Sequence, residues 1–305
     1  FKIAWRNLIR NKSFSLINIL GLAVSMSICL LIIMIAIDQY SYDTYHSKKE
    51  RIFRIHTTAY QENHSEMASS ALPLAEKLKA EYPMIEAAAA INSEIGGDVI
   101  YEEKFASGGG YFADGNLFEI LDFSFKEGNP KTALTEPFSM VITSELAEIL
   151  FRDESALGKT VAFHDKDIRA TGVEEGNIET DFGYFTITGV LNPPAGKTHL
   201  PFKLLAALST MKSLPKGAVL FEKEQDWDNV WTNYTYVLLK EGQNRGDFQA
   251  VLDNISEEIY ASKFEDKHSF TAIALRELTP IGFIGNTTHV AIPEIVLLIL
   301  GVLCI

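Results

Sequence analysis

The chain has 305 residues, 47% of them hydrophobic, and a net charge of −13 from 27 basic and 40 acidic side chains. The charge is unevenly spread: the first 13 residues hold Lys2, Arg6, Arg10 and Lys12 with no acid, which leaves 23 basic against 40 acidic residues in the remainder. So acidic a remainder excludes nucleic acid as its partner, because phosphate binding needs a basic surface.

Phe1 to Asn11, FKIAWRNLIRN, places apolar residues at 1, 4, 5, 8 and 9, with Lys2, Arg6 and Arg10 on another face. That pattern predicts a basic amphipathic helix over 1–13, with Trp5 at the inner membrane interface, or a plain positive-inside flank. Leu16 to Ile37 carries no charge. A helix rises about 1.5 Å per residue, so a run of roughly 20 apolar residues crosses a hydrocarbon core. A transmembrane helix is expected over 14–38, with the basic N-terminus cytoplasmic and everything after Asp38 outside. A signal peptide is the rival reading, but its apolar core is shorter, about 7–15 residues, and ends in small residues. Within the span, Gly21 and Ser25 form a small-xxx-small pair that lets another helix approach. The two cysteines, Cys29 and Cys304, both lie in apolar runs, so no disulfide framework holds the polar region between them.

Residues 51–60 read as a strand, followed by a helix over 71–82 capped by Ser69 or Ser70 and stopped by Pro83. A second strand follows over 85–95, although the alanines at 87–90 are poor strand formers. Next comes a loop-rich, β-leaning stretch. It has a strand over 99–105, a glycine turn or bulge at 108–110, and the aromatics Phe112, Phe118, Phe123 and Phe125, which read as core. A strand over 138–142 leads into a short helix capped by Thr143 or Ser144, and strands follow over 185–191 and 204–208. The last unit is a strand over 233–240, an amphipathic helix beginning at Asp247 and a strand over 269–275. Two β-α-β units flanking a β-rich stretch predict a split α+β domain, residues 39–98 and 231–288, carrying an inserted β-rich subdomain over 99–230. Residues 289–305 end in IVLLILGVLCI and read as the truncated start of a second span.

No catalytic constellation emerges. Leu157-Gly158-Lys159-Thr160 ends like a phosphate-binding loop, but the required first glycine is replaced by Asp153. The seven histidines show no metal-ligand spacing, and His164-Asp165-Lys166-Asp167 reads as a solvated loop. Catalytic, cofactor and metal residues are therefore expected to be absent.

Several pieces, in order, resemble the MacB/FtsX-like permeases of ABC transporters, especially the long Bacteroidetes-type members. They are IAWRNLIRNKSFSLINILGLAVSM (Ile3 to Met26), SYDTYHSKKERIFRI (Ser41 to Ile55), GNLFEILDFSFKEGNP (Gly115 to Pro130), SMVITSELAEILF (Ser139 to Phe151), ALGKT (Ala156 to Thr160), FTITGVLNPPAGKTH (Phe185 to His199) and YTYVLLKEG (Tyr234 to Gly242). Leu278-Thr279-Pro280-Ile281 departs from the longer polar motif of many relatives. The resemblance implies a porter-like periplasmic domain with a β insertion and three further spans. It implies a second permease copy as dimer partner and a separate cytoplasmic P-loop ATPase that binds the ATP, so that this chain needs no cofactor. It also implies contact with membrane lipid, a periplasmic adaptor or a peptide or lipoprotein cargo, and residence in the bacterial inner membrane. In that frame Lys2, Trp5, Arg6 and Arg10 belong to a membrane-surface helix. A membrane-anchored ligand sensor is the alternative from another class, and an anchored enzyme ranks last.

Overall fold

The computed structural model describes residues 6, 10, 12–59, 65–165, 180–214, 225–261, 267–279, 283–284 and 287–288. Helix α1, Lys12–Tyr40, has 29 residues and buries none of them within the chain. Its length is about 44 Å at 1.5 Å per residue. So long an apolar helix with every side chain outward needs an apolar medium, and among the described residues it is the one helix that satisfies a membrane span by length and composition. Arg6 and Arg10 are helical and exposed. Lys2, Trp5 and the second span expected over 289–305 lie outside the described residues.

The first unit is built from strand β1, Ile52–Ala59, helix α2, Pro73–Glu81, the long strand β3, Ile85–Tyr101, strand β10, Asn233–Leu239, helix α5, Arg245–Tyr260, and strand β11, His268–Ala274. Strand order β11-β1-β10-β3 is antiparallel throughout, which is the split β-α-β arrangement the sequence predicts. Alternate residues fill the two faces. Phe53, Ile55, Val237, Leu239 and Phe270 pack under α2 and α5 through Leu74, Leu78, Phe248, Leu252 and Ile255. Ile52, Ala87, Ala89, Ile91, Tyr236 and Leu238 face the inserted residues. Ala87 to Ala90 of β3 are buried and pair with β10. Packing here overrides a weak strand propensity.

The inserted residues contribute β4, Lys104–Ala113, α3, Leu117–Ile120, β5, Phe125–Gly128, β6, Ser139–Thr143, α4, Ser144–Phe151, β7, Thr160–Asp165, β8, Thr180–Leu191, and β9, Leu204–Ala207. The pairing β3-β4-β9-β6-β8-β7 returns to β3, so these six strands close into a circuit. Ile142, Phe163, Phe185, Ile187 and Leu204 form its core with Leu146 and Leu150 of α4. Closure leaves no free edge within these six strands; the edge strands of the sheet are β11 and β5. Strand β3 belongs to both units: its first half pairs with β10 and its second half with β7. Strand β2, Ser65–Met67, pairs with the end of β1, and a two-residue ladder joins β12, Phe283–Ile284, to β13, Thr287–Thr288.

Three local expectations fail for identifiable reasons: the strand expected over 99–105 is interrupted at Glu102-Glu103, where β3 turns into β4. The glycines at 108–110 form no turn but lie inside β4; the turn falls at Glu102-Glu103, with Glu102 at φ 54°. A Cβ on Gly110 would sit 1.8 Å from the Leu204 carbonyl oxygen, so glycine there permits the parallel approach of β9. Neither Ser69 nor Ser70 caps α2, which begins at Pro73 without a side-chain cap; Ser70 Oγ instead bonds Thr235 Oγ1 at 2.9 Å across the sheet. Thr143 does cap α4 through the Leu146 N–H.

Candidate functional site

The chain leaves α1 through a tight loop over 41–48, around which Asp43, His46 and His199 are buried. Asp43 takes a left-handed conformation, φ 55°, which aspartate tolerates better than most residues. Its N–H donates to the Lys197 carbonyl at 2.8 Å, and its side chain is buried. The carboxylate accepts the His199 backbone N–H at 3.3 Å and the ring Nδ1–H at 2.8 Å. The other ring nitrogen of His199, Nε2, lies 2.7 Å from the Tyr236 hydroxyl of β10. Burial raises the Tyr236 pKa, so the phenol keeps its proton and donates it to Nε2. That fixes the His199 tautomer with its proton on Nδ1, facing Asp43.

His46 completes the arrangement. Its Nδ1 accepts the Asp122 N–H at 3.0 Å, which leaves the proton on Nε2, 3.7 Å from the other Asp43 oxygen. Burial alone would raise the Asp43 pKa, but the hydrogen bonds from His199, with the nearby His46 ring, outweigh it and hold the carboxyl well below the usual range. Burial lowers the His199 pKa against the opposing pull of Asp43, so the imidazole is neutral at pH 7. On the far side, the buried Arg54 guanidinium lies 4.1 Å from the Tyr234 ring centroid and 5.9 Å from that of Tyr236, and its Nε donates to the Ala68 carbonyl at 2.9 Å. Asp43, His199, Tyr236 and Arg54 thus form one buried chain from the membrane exit to the centre of the first sheet.

An Asp-His-Tyr order invites a catalytic reading, but the side chains of Asp43 and His199 are 1% and 0% exposed. Both are closed off from solvent, and the arrangement ties the loop after α1 to His199 and to Tyr236 of β10. More exposed contacts support it. Lys197 pairs with Asp38 at the helix end, Ser47 N–H donates to Asp122 Oδ2, and Lys48 Nζ donates to the Glu119 carbonyl at 3.0 Å. Arg51 bonds Glu86 and the Leu239 carbonyl, each at 2.6 Å.

A cleft of about 920 Å³ lies elsewhere, between α2 and the segments around 113–119 and 130–135. Its floor is Ala88, Ala90 and Ala113, and its walls carry Lys79, Lys131, Glu76 and Asp114. Burial raises the Asp114 pKa.

The described residues singled out in the sequence lie at separate places in the fold. Gly21 and Ser25 sit on the outward surface of α1, and a Cβ on Gly21 would touch nothing. Gly158 makes a left-handed turn, φ 79°, and Lys159 pairs with Glu154, so the loop at 157–160 is a turn and no phosphate cradle. His164 is exposed on β7. Among the described residues, no group of three or more His, Cys, Asp or Glu side chains could hold a metal ion.

The MacB-like periplasmic core domain family matches residues 15–255, most of the chain. The chain belongs to this family. It is a permease-family membrane protein with an extracytoplasmic domain. Its fold is similar to that of a permease-protein domain from Porphyromonas gingivalis, at 15% identity and a TM-score of 0.58, covering 75% of this chain and 91% of that one. The periplasmic region of MacB from Actinobacillus actinomycetemcomitans matches at 13% identity and 0.48, covering 73% and 89%. The extracellular domain of the noncanonic ABC-type transporter YknZ from Gram-positive bacteria matches at 13% and 0.45, covering 72% and 99%. No curated protein sequence matches.

Proposed function

We propose that this chain is the permease subunit of an ABC-type exporter or mechanotransmission complex in the bacterial inner membrane. Its N-terminus is cytoplasmic and its main domain periplasmic. Two copies act with a cytoplasmic P-loop ATPase, which binds the ATP; this subunit is not an enzyme and moves its outer domain in response to the partner. One observation supports this reading most: α1 runs without a break into an exit loop fastened on the outer domain by the buried Asp43-His199-Tyr236 chain. A helix that only anchored a soluble domain would need a flexible linker and no buried fastening. The acidic outer domain steers cationic peptides as cargo by charge, an attraction that weakens with salt.

The test is purification of the full-length protein from native membranes in mild detergent, followed by mass spectrometry. A stoichiometric P-loop ATPase supports the reading. Recovery of a kinase or response regulator in its place overturns it in favour of a ligand sensor.

A further inference from the structure

Among the described residues, β11 and β5 end the large sheet. Strand β5 has only four residues, and short edges template another strand poorly; β11 has seven. The backbone groups of β11 that point away from β1 are met by side chains of α5. Gln249 Nε2 donates to the Phe270 carbonyl at 2.8 Å, and its Oε1 accepts the Ala272 N–H at 3.0 Å. Ser256 Oγ accepts the Phe270 N–H at 3.1 Å. One residue of a parallel strand makes the same two bonds as Gln249, donating to one carbonyl and accepting the N–H two residues on. The Gln249 amide therefore stands where a neighbouring strand would.

Both side chains are themselves held. Gln249 Nε2 also donates to Asp253 Oδ1 at 2.8 Å, which orients the amide with its oxygen towards Ala272. Ser256 is buried and gives its hydroxyl hydrogen to the Leu252 carbonyl at 2.9 Å, which leaves a lone pair for Phe270. Gln249, Asp253 and Ser256 recur at i, i+4 and i+7, so one face of α5 carries all three. Phe248, Leu252 and Ile255 of the same helix pack on the sheet and fix α5 in place.

We infer that Gln249 and Ser256 close the β11 edge against strand pairing with a second copy of this chain. A second copy is the occupant such an edge would meet. Helix α1 holds every copy in one membrane plane and in one orientation, so identical edges travel at the same height. An open edge would join two outer domains through a backbone ladder. With Gln249 and Ser256 in place, three of the groups that such a ladder needs are already bonded. The inference needs only the span and the edge, and is independent of the coupling reading above.

The test uses the full-length protein in mild detergent, with Cys29 and Cys304 replaced by alanine. Hydrogen exchange resolved to single amides reads the edge, and mass photometry reads association. In Gln249→Ala the Ala272 N–H exchanges about tenfold faster while the Phe270 N–H keeps its rate, and Ser256→Ala gives the reverse. The amides of Tyr236 and Val237 in β10, inside the sheet, keep the parent rate in every variant, which separates an opened edge from misfolding. The double variant Gln249→Ala with Ser256→Ala forms assemblies heavier than the parent's. Adding Thr271→Cys on β11 to that double variant gives a cross-link between copies with a short bis-maleimide, and adding it to the parent gives none. Unchanged exchange at both Phe270 and Ala272 overturns the inference. So does a double variant that keeps the parent mass and shows no link through position 271.

Discussion

Replacing Asp43 with alanine isolates the energetic core of the junction. The carboxylate is the acceptor for the His199 backbone N–H and ring Nδ1–H, and the His46 ring faces it at 3.7 Å. Alanine leaves the two His199 donors buried without that acceptor. Each orphaned buried donor costs about 1–3 kcal/mol, so the expected loss is about 2–6 kcal/mol. With a urea dependence of about 2–3 kcal/mol per molar, that is a midpoint roughly 0.7–3 M lower. The comparison is Lys197→Ala, which removes the pair with Asp38, two side chains 49% and 45% exposed. Solvent screens that pair, so its loss leaves the midpoint unchanged within error. The assay is urea unfolding of the detergent-solubilised protein followed by tryptophan fluorescence, with Trp227 and Trp231 as outer-domain reporters. Equal effects of the two substitutions, or a loss below about 0.5 kcal/mol for Asp43→Ala, would refute the assignment of the load to the buried carboxylate.

Three further outcomes follow from the same geometry. Gly110→Ala drives a methyl group into the Leu204 carbonyl and separates β4 from β9, at a cost of about 3 kcal/mol or more, whereas Gly109→Ala, with open space at its Cβ, is near neutral; thermal melts compare them. Burial pulls the His56 pKa down to about 3 and lowers that of His199, so below pH 6.5 the unfolded chain binds protons that the folded chain refuses. Stability therefore falls as pH drops below 6.5, by up to about 1.4 kcal/mol per pH unit for each histidine while it stays neutral in the folded state, the His56 contribution running on towards pH 3, and melts below pH 6.5 in His199→Gln show a shallower slope. Gly21→Leu with Ser25→Leu fills the small-residue face of α1 with bulky side chains, and mass photometry in detergent is expected to show a larger monomer fraction with membrane insertion unchanged.

Periodicity carried the broad architecture. The charge-free run became α1, and the two helix-bearing units became one split sheet, because burial imposes its period on strands and helices that are local in sequence. What stayed hidden were non-local meetings. The closed barrel depends on β7 bridging β3 and β8, and no local pattern encodes that. Glycines 108–110 read as a turn or bulge because the reason for Gly110, a neighbouring carbonyl, lies 94 positions away at Leu204. Asp43 and His199 both lie in stretches that resemble permease sequence, yet 156 positions separate them, and neither neighbourhood marks them as partners. The missed signal was slight: an aspartate directly after the span and a histidine after a Pro-Pro-Ala-Gly turn, both polar residues in segments too short to be solvated loops of their own.

The most direct test of the permease account is ATP turnover by the co-purified ATPase in lipid bilayers, measured with this subunit and after its removal. The account predicts turnover that depends on the subunit and changes in the Asp43→Ala variant, because the outer domain loads the cycle through the junction. Turnover indifferent both to removal of the subunit and to Asp43→Ala would contradict it.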